Sequence, residues 1–347
     1  MTYDTGFVRK GEISRAHFDP EVVRQELAII RDDLHCTAVQ LIGGDPERLG
    51  LTASYATELG LEVWFSPYPL ELTTDEILSL FADCAERAER LRQRGAEVVF
   101  VAGVELSIMN QGFMPGDSVD ERLGLLLSNP DRRERLREAS ARVNDFLRDA
   151  VAVARERFRG RITYASIPFE QPDWAIFDIV SVELIRSAEV ASQFREGVRT
   201  LVAGGKPVAI TGFGSAAYRG AGDRGGRAME ILEYDDVTGA PARLDGEYVR
   251  DEAGQAAYLG ELLEIFGTEG VDSTFVFLFA LENLPHRPDG DPRHDLDMAS
   301  PGIVKMLESC HGETYPDMAW EPKAAFFAVA ECYRGSESLP WGNERGP

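Results

Sequence analysis

"KPVAITGFGSAAYRG", residues Lys206 to Gly220, runs a short apolar and β-branched segment into a glycine-rich turn. Residues 208–211 have the length and composition of a buried strand, and Gly212 and Gly214 mark its end. A strand with so little polar surface suits a parallel sheet covered by helices. The same alternation extends in both directions. Strands are expected at 12–14, 38–42, 62–66, 98–102, 162–166, 179–182, 208–211 and 274–279. Helical patterns fall at about 21–33, 46–59, 74–94, 130–157, 188–203, 249–267 and 323–333. The connection "PFEQPDWAIFD" is too short for a full helix. No G-x-G-x-x-G turn follows the first strand, so a dinucleotide-type open sheet is disfavoured. The reading is an α/β protein, a single (β/α)8 TIM barrel, with insertions at roughly 106–129 and 213–248, after strands 4 and 7.

Composition agrees with this. At 347 residues, 44% hydrophobic and 27% charged, the chain can bury a large core, and one domain over 1–347 is expected. A formal net charge of −23 leaves no basic stripe for a phosphate backbone. Nucleic acid and anionic membranes are therefore excluded as expected partners, and a small-molecule substrate is expected instead. Cys36, Cys84, Cys310 and Cys332 show no C-x-x-C spacing and read as reduced, mostly structural thiols. The start "MTYDTGFVRKGEISR" has no apolar leader, and no run approaches the roughly 18 residues of a membrane span. A cytoplasmic location is expected, with no cofactor and no metal required; the oligomeric state is not legible.

In such a barrel, chemistry sits at the C-terminal ends of the strands. Strand 2 leads to Gly43-Gly44-Asp45, strand 3 to Ser66-Pro67-Tyr68-Pro69, strand 4 to Glu105 and Ser107, and strand 5 to Glu170. Strand 6 leads to Glu183 and Arg186, strand 7 to Gly212, and strand 8 to Glu282, Asn283 and His286. Glu105 follows the apolar "VVFVAGV" and would leave the core at the mouth, dry enough to raise its pKa toward that of a general acid. The competing reading is a rim carboxylate paired with an arginine. Glu183 and Arg186 are either a substrate-orienting pair or a plain ion pair. The stretch "FLFALENLPHRPDGDPRHDLDMAS" lacks an EF-hand rhythm or an H-E-x-x-H spacing, so it reads as a solvated acidic loop rather than a metal site. Trp64, Tyr68, Trp174, Phe213 and Tyr218 either line the mouth, for stacking on an apolar or sugar face, or belong to the core. None of the four lysines, Lys10, Lys206, Lys305 and Lys323, falls at the C-terminal end of a strand, which disfavours a Schiff base. The glycine- and arginine-rich "YRGAGDRGGRAMEI" is a flexible lid, an irregular insertion or an anion-binding loop.

These segments resemble the (β/α)8 clan of retaining glycoside hydrolases: "GLEVWFSPYP", "GVELS", "FDIVSVE", "PVAITGFG" and the closing "WEPKAAFFAVAECYR", which is similar to a W-x-P-K-x-A-F ending. The match covers most of the chain. More loosely, the chain is similar to bacterial barrels labelled abortive-infection proteins. The resemblance implies that Glu105 is the acid/base and that position 212 is where the nucleophilic glutamate stands, in the order Thr-Glu-Phe-Gly. Here the order is Thr211-Gly212-Phe213-Gly214, and glycine cannot attack an anomeric carbon. The asparagine that precedes the acid/base in that clan is also missing from "VEL". Three expectations follow. Glu183 or Glu282 supplies the second carboxylate. Alternatively, the barrel is a repurposed pseudoglycosidase catalysing a cyclisation, isomerisation or dehydration in natural-product biosynthesis. Lastly, the chain is a nucleophile-deleted variant or a pseudoenzyme that binds a sugar without cleaving it.

Overall fold

The computed structural model describes residues 1–127, 131–235 and 237–336; residues 128–130, where the expected insertion meets the expected helix, position 236 and 337–347 lie outside them. Eight parallel strands follow one another in chain order around a nearly closed barrel. They are β1 Thr2–Asp4, β2 Ala38–Gly43, β3 Glu62–Pro67, β4 Val98–Val104, β5 Arg161–Ser166, β6 Val180–Glu183, β7 Val208–Phe213 and β8 Ser273–Val276. Between the two ends of the sheet, the Phe279 amide donates to the Thr2 carbonyl at 3.0 Å.

The first strand corrects the sequence reading. Residues 12–14 do not enter the barrel; Glu12–Ile13 pairs instead with Val8–Arg9 as a small antiparallel hairpin. "TYD" has no apolar run to announce it, whereas the hairpin has strand-like alternation around Gly11, whose φ of +83° suits a tight turn. With β1 moved upstream, residues 5–19 become a loop at the barrel mouth.

Alternation along the strands sorts side chains into two layers. Trp64, Val99, Val101, Ala165, Ala209 and Phe275 fill the barrel interior. Their neighbours Val63, Phe65, Phe100, Ile162, Val208 and Ile210 face outward into the core shared with the helices. Each such burial contributes about 1.5–3 kcal/mol. The outer layer is α1 Pro20–Asp32, α2 Pro46–Glu58, α3 Thr74–Gln93, α4 Arg132–Arg157, α5 Ala191–Val202, α6 Glu252–Glu269 and α7 Ala324–Ser336. Asp19 and Asp45 cap α1 and α2 by accepting the amides of Glu21 and Glu47 at 2.9 and 2.8 Å, each just ahead of a proline at the first helical position. Thr73 and Glu76 form a reciprocal capping box on α3. Only a 3-10 turn, Trp174–Ile176, lies between β5 and β6.

The connections after β4, β7 and β8 carry extra structure. Leu106–Met109 and Val119–Leu127 are short helices after β4, and Leu232–Tyr234 pairs with Pro241–Leu244 after β7. After β8, Pro285–His286, Val304–Leu307 and Trp320–Pro322 form a three-stranded sheet. Tyr218, Ile231, Leu244, Leu278, Leu296 and Met298 give the last two connections a core of their own. Among the described residues no helix is long and apolar enough to cross a membrane.

Candidate active site

Strand β4 ends in a distortion that aims Glu105. Its register against β5 shifts between Val101 and Val104, as at a bulge. Gly103, at φ +93°, has no room for a Cβ, which would lie 2.9 Å from the Leu106 side chain. Glu105 itself is left-handed, at φ 45° and ψ 43°, an unfavourable conformation for a residue with a side chain. The surroundings over-determine it. The Glu105 amide donates to the Ala165 carbonyl at 3.0 Å, and the Leu106 amide donates to the Tyr164 hydroxyl at 2.9 Å. Buried Glu170 accepts from the Ser107 amide at 3.0 Å, the Ser107 hydroxyl at 2.6 Å and the Tyr164 hydroxyl at 2.7 Å.

The second carboxylate arrives from β6. The β6–β7 register also shifts, between Val182 and Glu183, and leaves Glu183 opposite Gly212. A Cβ built on Gly212 would lie 1.6 Å from Glu183 Oε2 and 2.6 Å from its Cδ. The space where a strand-7 side chain would begin is therefore filled by the carboxylate of the neighbouring strand. Gly212 has no left-handed φ, so volume rather than backbone conformation requires the glycine.

Glu105 and Glu183 are both partly exposed yet deeply surrounded by protein. Burial raises the pKa of Glu105 well above the ordinary carboxylate range; the negative charges of Glu183 and Glu170 raise it further, and Arg9 opposes them. Burial also raises Glu183, and the negative charge of Glu170 pushes it further up. The charge of Glu183 thus disfavours ionisation of Glu105 beyond what burial alone does. Tyr68 shares the site: burial raises its hydroxyl strongly, and Glu105 and Glu183 add to that while Arg9 opposes. Its ring meets Phe7 edge-on at 5.3 Å. Phe7, Leu70, Met109 and Phe277 are partly buried against the upper barrel core that includes Tyr68 and Val104.

The other expected site residues go elsewhere. Glu282 pairs with Arg15 at 3.0 Å and is pushed up to about 7 by burial, with Arg15 opposing. Arg186 turns away from Glu183 to bond Glu261 at 2.9 Å, its guanidinium over the Tyr258 ring. Trp64 lies inside the barrel on Phe275, its indole N–H donating to Glu62 at the first residue of β3. Phe213 faces outward onto Phe266 of α6 at 5.0 Å. Trp174 packs on Phe177, and its carbonyl accepts from Lys206, which precedes β7 at the opposite end of the barrel from the mouth. Tyr218 is buried in the β7 connection and donates to the Ala228 carbonyl at 3.0 Å. Asn283 follows Glu282, with its amide oxygen buried and without a hydrogen-bond partner among the described residues. His286 Nδ1 lies 2.9 Å from Asp295 and 3.0 Å from Arg250. Of the acidic residues of that segment, expected to be solvated, Asp289 and Asp291 are exposed, whereas Asp295 and Asp297 pair with Arg250, and Asp297 also with fully buried Lys323 at 2.9 Å.

Arg9 carries no signal in the sequence, because it lies ahead of the expected first strand and reaches the site only through the hairpin. From the hairpin it bonds Asp120 at 3.1 Å, and Lys10 reaches the same carboxylate at 2.5 Å while lying over the Tyr234 ring. The β1 loop is thereby tied to the β4 and β7 connections.

No protein-family model matches the chain, and no curated protein does. In structure it is similar to a GH113 β-mannanase from Alicyclobacillus acidocaldarius, with a TM-score of 0.56, 14% identity and 96% of each chain covered. A GH113 β-1,4-mannanase matches at TM-score 0.54 and 15% identity over 90% of this chain and 93% of that one. A family 1 β-glucosidase from Thermotoga maritima matches at TM-score 0.51 and 14% identity over 91% of this chain and 86% of the other. The chain has a glycoside hydrolase-like (β/α)8 fold.

Proposed function

We propose that the barrel mouth performs carboxyl-pair acid–base chemistry on a glycoside or related small molecule, with Glu105 as proton donor and Glu183 as the second carboxylate. One observation carries this reading: the Glu183 carboxylate fills the space where a Gly212 side chain would start, so strand 6 puts a carboxyl at the position for which strand 7 supplies none. Burial and the neighbouring charges of Glu183 and Glu170 favour the protonated form of Glu105, which suits it to the donor role. In glycoside cleavage the Glu105 proton passes to the leaving oxygen. Glu183 then either bonds to the anomeric carbon, to be displaced by water, or takes a proton from the attacking water. The structural neighbours named above as mannanases and a β-glucosidase support the substrate class only by likeness of fold.

The apolar side chains of Phe7, Leu70, Met109 and Phe277 favour a second reading, a non-hydrolytic cyclisation, isomerisation or dehydration by the same pair. The test is turnover of aryl β-mannosides and β-glucosides with good leaving groups. Wild-type turnover that falls about 10²–10⁴-fold in Glu105→Gln, with azide rescuing Glu183→Ala to give a glycosyl azide, supports hydrolysis through a covalent intermediate. No sugar turnover by the wild type would overturn the glycosidase reading and leave the apolar-substrate one.

A further inference from the structure

Away from the mouth, a groove of about 490 Å3 opens between α2 and α3, beneath Phe18. Its lining reverses the sign of the molecule. Arg48, Arg87, Arg90 and Arg94 contribute to it against one acid, Glu47, in a chain with 59 acidic and 36 basic residues. Two of the arginines are already held. The Arg48 guanidinium lies over the Phe18 ring at 5.1 Å and donates to the Arg15 carbonyl at 2.8 Å. Arg87 bonds Asp83 at 3.0 Å and Glu47 at 2.5 Å. Arg90 and Arg94, one helical turn apart and exposed, have no ion pair or side-chain hydrogen bond among the described residues.

Gly50 gives an independent indication. It sits inside α2, where glycine is less favourable than alanine, and it lines the groove. A Cβ there would meet Arg87 at 3.5 and 3.7 Å, ordinary contact, so packing does not demand the missing side chain. Its absence keeps the floor open.

We propose that this groove binds a phosphorylated small molecule with a flat apolar body, of the nucleotide class. Guanidinium groups match phosphate oxygens in paired hydrogen bonds, and two of them here lack a partner. Phe18 and Leu51 offer the apolar face, and the volume lies within the range of about 300–1,000 Å3 usual for small-ligand sites. This is an anion site on a protein whose net charge disfavours anions elsewhere, and it does not depend on the chemistry at the mouth.

The test is calorimetric titration of the full chain with ATP, pyrophosphate and adenosine. ATP is expected to bind more tightly than pyrophosphate, with no adenosine binding detected. The Arg90→Gln/Arg94→Gln double variant should weaken ATP at least about tenfold. Gly50→Leu should do the same while leaving every charge in place, and both variants should keep the wild-type circular dichroism. No ATP binding at millimolar concentration, or ATP binding unchanged in both variants, would overturn the site. Pyrophosphate binding as tightly as ATP would overturn the assignment of an apolar body to the ligand.

Discussion

A hydrogen in place of a side chain at position 212 is what allows Glu183 to stand where it does. The Gly212→Ala methyl would overlap Glu183 Oε2, so the carboxylate must swing aside. Activity is expected to fall about tenfold or more, and the Glu105 pKa should drop toward the ordinary carboxylate range as one of its repelling charges departs. A pH–rate profile or carboxyl NMR titration reads both, and an unchanged profile would mean that Glu183 does not act through this position. The sign of the stability effect follows from the same shifts. Because the folded-state pKa of Glu183 is raised, its favourable contribution is complete below the unfolded carboxylate value and is lost as pH rises through the folded value. Glu183→Gln cannot lose it. Relative to wild type, the variant should gain about 1–3 °C in Tm between pH 5 and pH 8, with no gain at pH 4. Strand-end position put Glu105 and Glu183 on the list in the sequence, with Glu282 as the other choice for the second carboxylate, because period-two alternation is local. What Gly212 does was hidden, since it depends on an atom of another strand.

At the level of elements, the mouth is shaped by breaks in regularity. The register shifts at the ends of β4 and β6 turn Glu105 and Glu183 out of the pleat, and Glu170 fastens the turn after β4. Glu170 holds Ser107 and Tyr164 in that turn, and is recognisable from the sequence only as the acid in the strand-5 slot. Alternation also failed where it was needed to separate mouth from core. Trp64 points inward but near the foot of β3, and Phe213 faces outward past the irregular end of β7. Position along a strand and the shift of a single pair decide such cases, and neither is written in composition. The hairpin Val8–Ile13 imitates a strand because its residues alternate, yet it pairs only with itself.

Across the whole molecule, one buried group joins the first and last parts of the barrel. Arg15 bonds Glu26 of α1 at 2.8 Å, the Tyr3 hydroxyl of β1 at 2.8 Å and Glu282 beyond β8 at 3.0 Å. Glu26 also accepts from Trp320 at 2.9 Å. Arg15→Met would leave Glu26 buried without its cation, at an expected loss of about 3–5 kcal/mol in urea unfolding at pH 7. A loss under 1 kcal/mol would show that the ends of the barrel are held by packing alone. The arrangement also explains why Glu282, a strand-end carboxylate in the sequence, is engaged with Arg15 in this closure. Alternating apolar strands and amphipathic helices made the barrel and its strand-end acids legible, since both patterns arise from side-chain periodicity within a few residues. The true first strand, the partner of each acid and the filling of position 212 came from the fold alone, because each rests on register and contact between segments far apart in the chain.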